Sequence, residues 1–338
     1  MGSGFVRKIF FVALMLMPLV SLIAQQGVIR AGVDLVVVPA SVRDYYGHFI
    51  YDLMSEDFQI FEDGKLQKIR SFSLESRPLS VSVLVDTGVD RNALTNVADS
   101  LRSFHKAFTE VDEVEAYRFD HIVDRISGFT SGADLEKKLA FLNAMAERQP
   151  SWPTPIPILP GRGPKWLREL LDLNSQIPFK NLNDPLFMSA VDLNKRPPEQ
   201  RKVVIIISDG QIPEDNTKKQ VHTMKRTKDQ LVLDQIQVYG VAMGNALLEG
   251  PTSILHMYAN ATGGDVYRGR DRYAIEENLS KITEQARREY VLGYVSNNEI
   301  RGLLPVNRKI EVKVLTPDLN VHHRKSYLQY PRSKSSGD

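Results

Sequence analysis

Between Val33 and about residue 75 the apolar positions come in short runs without a helical period. β-branched residues dominate Val33 to Val38, which suits a strand. Asp44 to Gly47 reads as a turn, Phe49 to Tyr51 as a short strand and Phe58 to Phe61 as another. Glu62-Asp63-Gly64 then predicts a tight turn into a strand over Leu66 to Phe72, so that the pair forms a hairpin.

The pattern changes at Val81. Val81 to Val85 and Val203 to Ile207 are apolar without a charge, as expected of strands buried on both faces. Val114 to Phe119 and Val238 to Met243 read as further strands. Between them the spacing predicts helices. One runs over Asn92 to Thr109, with Leu94, Val97, Ala98, Leu101, Phe104 and Phe108 on a single face. Others are marked by Leu135, Leu139 and Leu142, by Val221, Met224 and Leu231, and by Ile275, Leu279, Ile282 and Ala286. A short helix over Ile254 to Ala259 is predicted to stop at Gly263-Gly264. Strands alternating with helices predict an α/β fold, a doubly wound and mostly parallel sheet covered on both faces.

After Tyr290 the β pattern returns, with a strand over Tyr290 to Val295 and strict alternation from Lys309 to Val314. The β segments at the two ends therefore flank one α/β unit. They are expected to pair into a sandwich-like base, two independent β additions being the other arrangement. The predicted organisation is a leader at 1–24, a β-rich segment at 25–76 and an α/β domain at 77–289. A C-terminal β segment at 290–330 and a disordered tail at 331–338 follow.

Charge and composition narrow the setting. Arg7 and Lys8 precede an apolar run from Ile9 to Ala24, the form of a secretory signal cleaved after Ala24. The run is short of the roughly 20 residues a spanning helix needs; an uncleaved anchor is the alternative, and the one route to a membrane. Export to a bacterial periplasm or exterior follows. The chain has no cysteine, which excludes disulfides and a lipid-modified cysteine. A net charge of +2 gives no footprint for nucleic acid. Residues 150–182 read as a proline-rich loop and insertion, because Pro150, Pro153, Pro155, Pro157, Pro160 and Pro164 each lack a backbone donor. Trp152 and Trp166 pin that loop or bind a partner.

The chemistry-bearing residues are aspartates. Asp86 ends the first buried strand and Asp209 the second, the end at which parallel sheets take ligands. Asp90 joins them from the following loop. Oxygen donors without His or Cys suggest a hard cation, Mg²⁺, Ca²⁺ or Mn²⁺. Taken singly, each aspartate is more often a helix cap or turn residue. Gly240 to Gly244 lacks the spacing of a dinucleotide fingerprint. The seven histidines, His222 and His322-His323 among them, show no zinc spacing and read as surface residues. Lys218, Lys219, Lys225, Arg226 and Lys228 read as the solvated face of a helix.

Asp86-x-Gly88-x-Asp90 resembles the Asp-x-Ser-x-Ser motif of the von Willebrand factor type A domain, and Ile205 to Gly210 resembles that family's second aspartate strand. The likeness covers about residues 78 to 290. Val33 to Val37, Asp57 through Gly64 and Tyr290 to Tyr294 are similar to exported bacterial proteins termed VWFA-related. The resemblance implies a metal-ion-dependent adhesion site at the top of the sheet. It implies a module that binds an unknown protein or cell-surface ligand rather than an enzyme. It also implies a loop ligand near Asn183 or Asp184, where the family has a threonine; Asp184 is the expected one. The metal set is then Asp86, Asp90, Asp184 and Asp209, and the cofactor a divalent cation or none. Gly88 removes one hydroxyl and Asp90 adds a carboxylate, so the motif is degenerate and its formal charge of −4 would repel an acidic ligand. Two alternatives stand beside this: a metal-free scaffold of the cell envelope, and a haloacid-dehalogenase-like phosphohydrolase. The latter needs Asp-x-Asp, whereas position 88 is glycine.

Overall fold

The computed structural model describes residues 35–331 except 102–103, 121, 149–181, 211–220, 249, 251–252 and 299–303. The expected leader, most of the proline-rich loop with both tryptophans, Lys218 and Lys219, and nearly all of the tail lie outside the described residues.

The two ends of the chain pair, as the flanking β segments predicted. The N-terminal part supplies β1 (Leu35–Arg43), β2 (Phe58–Glu62), β3 (Lys65–Gln67) and β4 (Ile69–Ser76). The C-terminal part supplies β11 (Arg288–Val295), β12 (Val306–Val314), β13 (Asn320–His323) and β14 (Ser326–Gln329). They form two four-stranded sheets, ordered β13-β1-β11-β4 and β14-β12-β2-β3. Antiparallel register sets Val38 against Leu292 and Ile60 against Val312. Val36, Val38 and Val42 of the first sheet and Phe58, Ile60, Ile310 and Val312 of the second close one apolar core with Tyr290 and Leu292.

Three expectations for this base need correction. The predicted strand over Leu66 to Phe72 is broken at Lys68. Leu66 pairs with Phe61 in one sheet, while Phe72 pairs with Leu292 in the other, so the chain changes sheets there. Phe49 to Tyr51 amounts to an isolated bridge from Phe49 to Arg43. His323 is a core residue at 3% exposure, not a surface one. Its Nε2 accepts from the Val312 N–H at 3.1 Å and its Nδ1 lies 2.7 Å from the Arg324 carbonyl. Burial first, and then the Lys325 charge, push its pKa down to about 4. The turn at Asp63-Gly64 is as expected: φ of 48° and 80° at the two residues gives the left-handed pair a tight hairpin needs.

The α/β part begins at β5 (Leu79–Asp86), all eight residues of which are buried. It continues through α1 (Arg91–Leu101), β6 (Glu113–Phe119), β7 (Val123–Thr130), α2 (Gly132–Leu139) and α3 (Phe141–Arg148). After the insertion come α4 (Asn183–Asn194), β8 (Arg201–Ser208), α5 (Met224–Leu233) and β9 (Gln237–Ala242). The last elements are α6 (Ile254–Thr262), β10 (Val266–Arg268) and α7 (Arg272–Arg287). The six strands are ordered β10-β9-β8-β5-β6-β7. Every pair is parallel except β6 with β7.

Because strand side chains alternate, Val81, Val83 and Val85 meet Leu94, Val97 and Leu279 on one face. Leu84, Val204 and Ile206 meet Leu186, Ala190 and Tyr258 on the other. Each buried Val, Leu or Ile side chain among these contributes about 1.5–3 kcal/mol. Gly263 ends α6 at φ +88°, and a Cβ on Gly264 would fall 2.0 Å from the Val238 carbonyl oxygen, so both glycines are required.

Three helix predictions change. The helix marked by Leu135, Leu139 and Leu142 is two, α2 ending at Leu139 and α3 beginning at Phe141. The predicted helix over Asn92 to Thr109 is α1 to Leu101 and then a 3₁₀ turn over Phe104–Ala107. Val221 lies ahead of α5, 76% exposed, because Thr223 caps that helix by accepting from the Arg226 N–H.

The base and the α/β part are joined by polar contacts. Arg43 of β1 reaches Asp265 at 3.0 Å, and Gln285 of α7 donates to Ser41 at 2.7 Å.

Candidate functional site at the switch point of the sheet

The chain leaves β5 towards β6 on one side, and β8 lies on the other. The strand order thus reverses between β5 and β8, which opens a crevice at their carboxyl ends. Register sets Val85 opposite Ile207, so the next residues, Asp86 and Ser208, face each other across it.

Asp86 is fully buried. Its Oδ2 accepts from the Ser208 hydroxyl at 2.6 Å and its Oδ1 from the Gly88 N–H at 2.9 Å. Ser208 in turn accepts from the Gly210 N–H at 3.0 Å. Thr87, also buried, donates its N–H to the Phe119 carbonyl at 2.8 Å and so ties the crevice to the end of β6. These bonds hold a carboxylate in a site from which water is excluded, and the Ser208 hydroxyl and Gly88 amide meet it as neutral dipoles.

The other three expected ligands have separate settings. Asp90 caps α1: its Oδ1 accepts from the Ala93 N–H at 3.0 Å, and its carbonyl starts the helix by accepting from Leu94. Asp184 lies in the first turn of α4 and clasps the segment before α5. It accepts from the Val221 N–H at 3.2 Å and the His222 N–H at 2.8 Å, with His222 Nδ1 also 2.8 Å from Oδ1. The His222 ring stacks on Phe187 of α4, centroids 3.9 Å apart, so His222 is half-buried rather than a surface residue. Asp209 follows β8 and packs beside Gly244, where an added Cβ would come 3.4 Å from its own.

Among the described residues no three or more His, Asp or Glu side chains are grouped as a metal site. A calcium-type ion takes six to eight oxygens, and a magnesium ion demands near-octahedral geometry. Asp90 Oδ1 serves the start of α1 and both Asp184 oxygens serve the 221–222 backbone, so a divalent ion on this donor set would compete with those hydrogen bonds. Ser208, Thr87 and His222 were not among the expected site residues, and Asn183 was named only as the alternative to Asp184. Ser208 alone left a signal, since it stands beside Asp209 at the strand end. Asn183 accepts from Tyr258 at 2.6 Å, a contact between α4 and α6 that spacing cannot reveal.

No family model matches the chain, and no curated protein matches it. Solved structures do. A von Willebrand factor type A protein from Catenulispora acidiphila is 9% identical over 81% of this chain and 75% of its own, with a TM-score of 0.42. Proximal thread matrix protein 1 from the mussel byssus is 12% identical over 63% of this chain, with a TM-score of 0.41; the match spans 49% of that protein, about half its length. The conserved hypothetical protein BatB from Bacteroides thetaiotaomicron is 11% identical over 62% of this chain and 98% of its own, with a TM-score of 0.39. What the chain's own strands and helices show is a doubly wound α/β fold, a mostly parallel six-stranded sheet between two helical layers.

Proposed function

We propose that the chain is an exported binding module, not an enzyme, and that a protein or cell-surface ligand docks at the switch-point edge over Asp86 and Ser208. The carrying observation is the Ser208–Asp86 hydrogen bond of 2.6 Å, which joins β5 and β8 where a doubly wound sheet takes its ligands. The edge is a degenerate adhesion site in which hydrogen-bonded side chains replace a held ion. The Asp90 carboxylate capping α1 argues against a phosphohydrolase, since that carboxylate would be the acid/base partner of Asp86. Export rests on the charged start and the apolar run to Ala24. No helix among the described residues is long and apolar enough to cross a membrane.

The absence of cysteine makes the test direct. Asp209→Cys, at the carboxyl edge, and Lys202→Cys, at the amino end of β8, each carry a thiol-linked photocrosslinker in the producing cells. A discrete adduct from position 209 and none from 202 supports docking at the edge. Equal labelling from both, or none from either, overturns it.

A further inference from the structure

At the amino ends of the strands, the pole opposite Asp86, a cleft of about 370 Å³ opens between the α/β part and the base. Lys106 of the 3₁₀ turn, Ser280, Thr283 and Glu284 of α7, Arg288 of β11 and Tyr51 of the β1–β2 connection line it. The eight residues of β5, at roughly 3.3 Å each, set this cleft some 25 Å from the switch point.

Its charges are unevenly matched. Arg287, on the same wall, gives both Nη atoms to Asp112, at 2.9 and 2.7 Å, and is thereby neutralised. Glu284 is turned towards Tyr51, whose hydroxyl donates to it at 3.4 Å. Burial first, and then that carboxylate, raise the Tyr51 pKa far above its ordinary value, so the phenol keeps its proton. Lys106 and Arg288 have no ion-pair partner among the described residues. The Arg288 guanidinium lies over the Tyr51 ring, 4.1 Å from its centroid. This contact holds the guanidinium against the ring, and an arginine so placed can receive a planar oxyanion through paired hydrogen bonds. Two unpaired cations against one carboxylate leave the cleft with one net positive charge, which a single carboxylate balances.

We infer that this cleft is a second binding site and that it takes a carboxylate-bearing small group, with Arg288 as the paired donor and Lys106 as the opposing charge. The cleft is at the low end of ligand-site volumes, large enough for one acidic side chain or one acidic sugar ring. The site is independent of the switch-point edge: it shares no residue with that edge and needs no metal.

The test follows the Arg288 Nε resonance by NMR at constant ionic strength. N-acetylglutamate and glucuronate are titrated in separate arms, with N-acetylglutamine and glucose as their neutral counterparts. Saturable shifts with the acids and not with the neutral molecules are expected, and the tighter arm tells a peptide source from a sugar source. Binding followed on the Tyr51 ring is expected to weaken about tenfold or more in Arg288→Gln and measurably in Lys106→Met, but not in Lys225→Ala on α5. Both cleft residues are exposed, so thermal midpoints should stay at the parental value. Shifts of the same size with the neutral molecules, non-saturating shifts, or binding unchanged in Arg288→Gln would overturn the inference.

Discussion

In the six-stranded sheet, Val81, Val83 and Val85 face one helical layer and Leu84, Val204 and Ile206 the other, and the inner strands are held by shape and area. In the sandwich, Glu62 lies in the core with no exposure. It accepts from the hydroxyls of Tyr294 at 2.7 Å, Tyr327 at 2.9 Å and Ser296 at 2.6 Å, and from the Asn298 amide at 2.6 Å. His323 is buried in the same body. A long parallel sheet buries enough apolar surface to specify itself. A base of two four-stranded sheets has a smaller core, and hydrogen bonds of fixed direction fix its register instead.

The largest effect expected from this contrast is at Glu62. Glu62→Leu keeps the volume roughly but strands four donors, and should cost about 4 kcal/mol in urea unfolding. Leu84→Met in the sheet also conserves volume and should cost under about 1.5 kcal/mol. Similar costs for the two variants would break the comparison.

The pH response sharpens it, because the two bodies titrate with opposite signs. His323 in the sandwich is held near pKa 4, below its unfolded value, so the unfolded chain binds the proton first. The stability associated with its neutral form is present above about pH 6.5 and falls by about 3 kcal/mol as pH drops towards 4. Glu115 in the sheet, buried between Arg125 and the α4 face, is raised to about 7, chiefly by burial. Its contribution is present below about pH 4.5 and is lost, also by about 3 kcal/mol, as pH rises through 7. Denaturant midpoints should therefore rise above pH 7 in Glu115→Gln and flatten below pH 6 in His323→Gln. A parallel displacement of either curve at all pH values would remove that group from the account.

The smallest expected effect concerns ions. A ligand at about a hundred times its dissociation constant adds roughly 2.7 kcal/mol, several degrees in a domain of this size. With Asp90 and Asp184 engaged elsewhere, Mg²⁺, Ca²⁺ or Mn²⁺ should move the thermal midpoint no more than ionic strength does. A rise with one ion that Asp209→Ala abolishes would return the strand-end carboxylates to a metal site.

By itself the sequence determined the strands Val81 to Val85 and Val203 to Ile207, the turn at Asp63-Gly64 and the helix stop at Gly263-Gly264. Each rests on local physics: an all-apolar run must be covered on both faces, and a left-handed backbone selects glycine or aspartate. The sequence also placed Asp86 and Asp209 at strand ends. What it left open depended on which groups meet across the fold. The break at Lys68 follows from pairing with β11, more than two hundred residues away. The edge strand β7 is half exposed and carries Arg125, Ser127 and Gly128, so its composition resembles a loop until β6 supplies its hydrogen bonds. Asp184 reads from the sequence as a ligand beside Asp86, and its clasp on His222 appears only once α4 docks against the segment before α5. His323 reads as a surface residue in a polar run, until the Val312 amide and the Arg324 carbonyl give its ring partners out of water. Periodicity states which face of an element is covered; the partner of a polar side chain is a fact of tertiary structure, because a hydrogen bond between distant residues leaves no period in the chain.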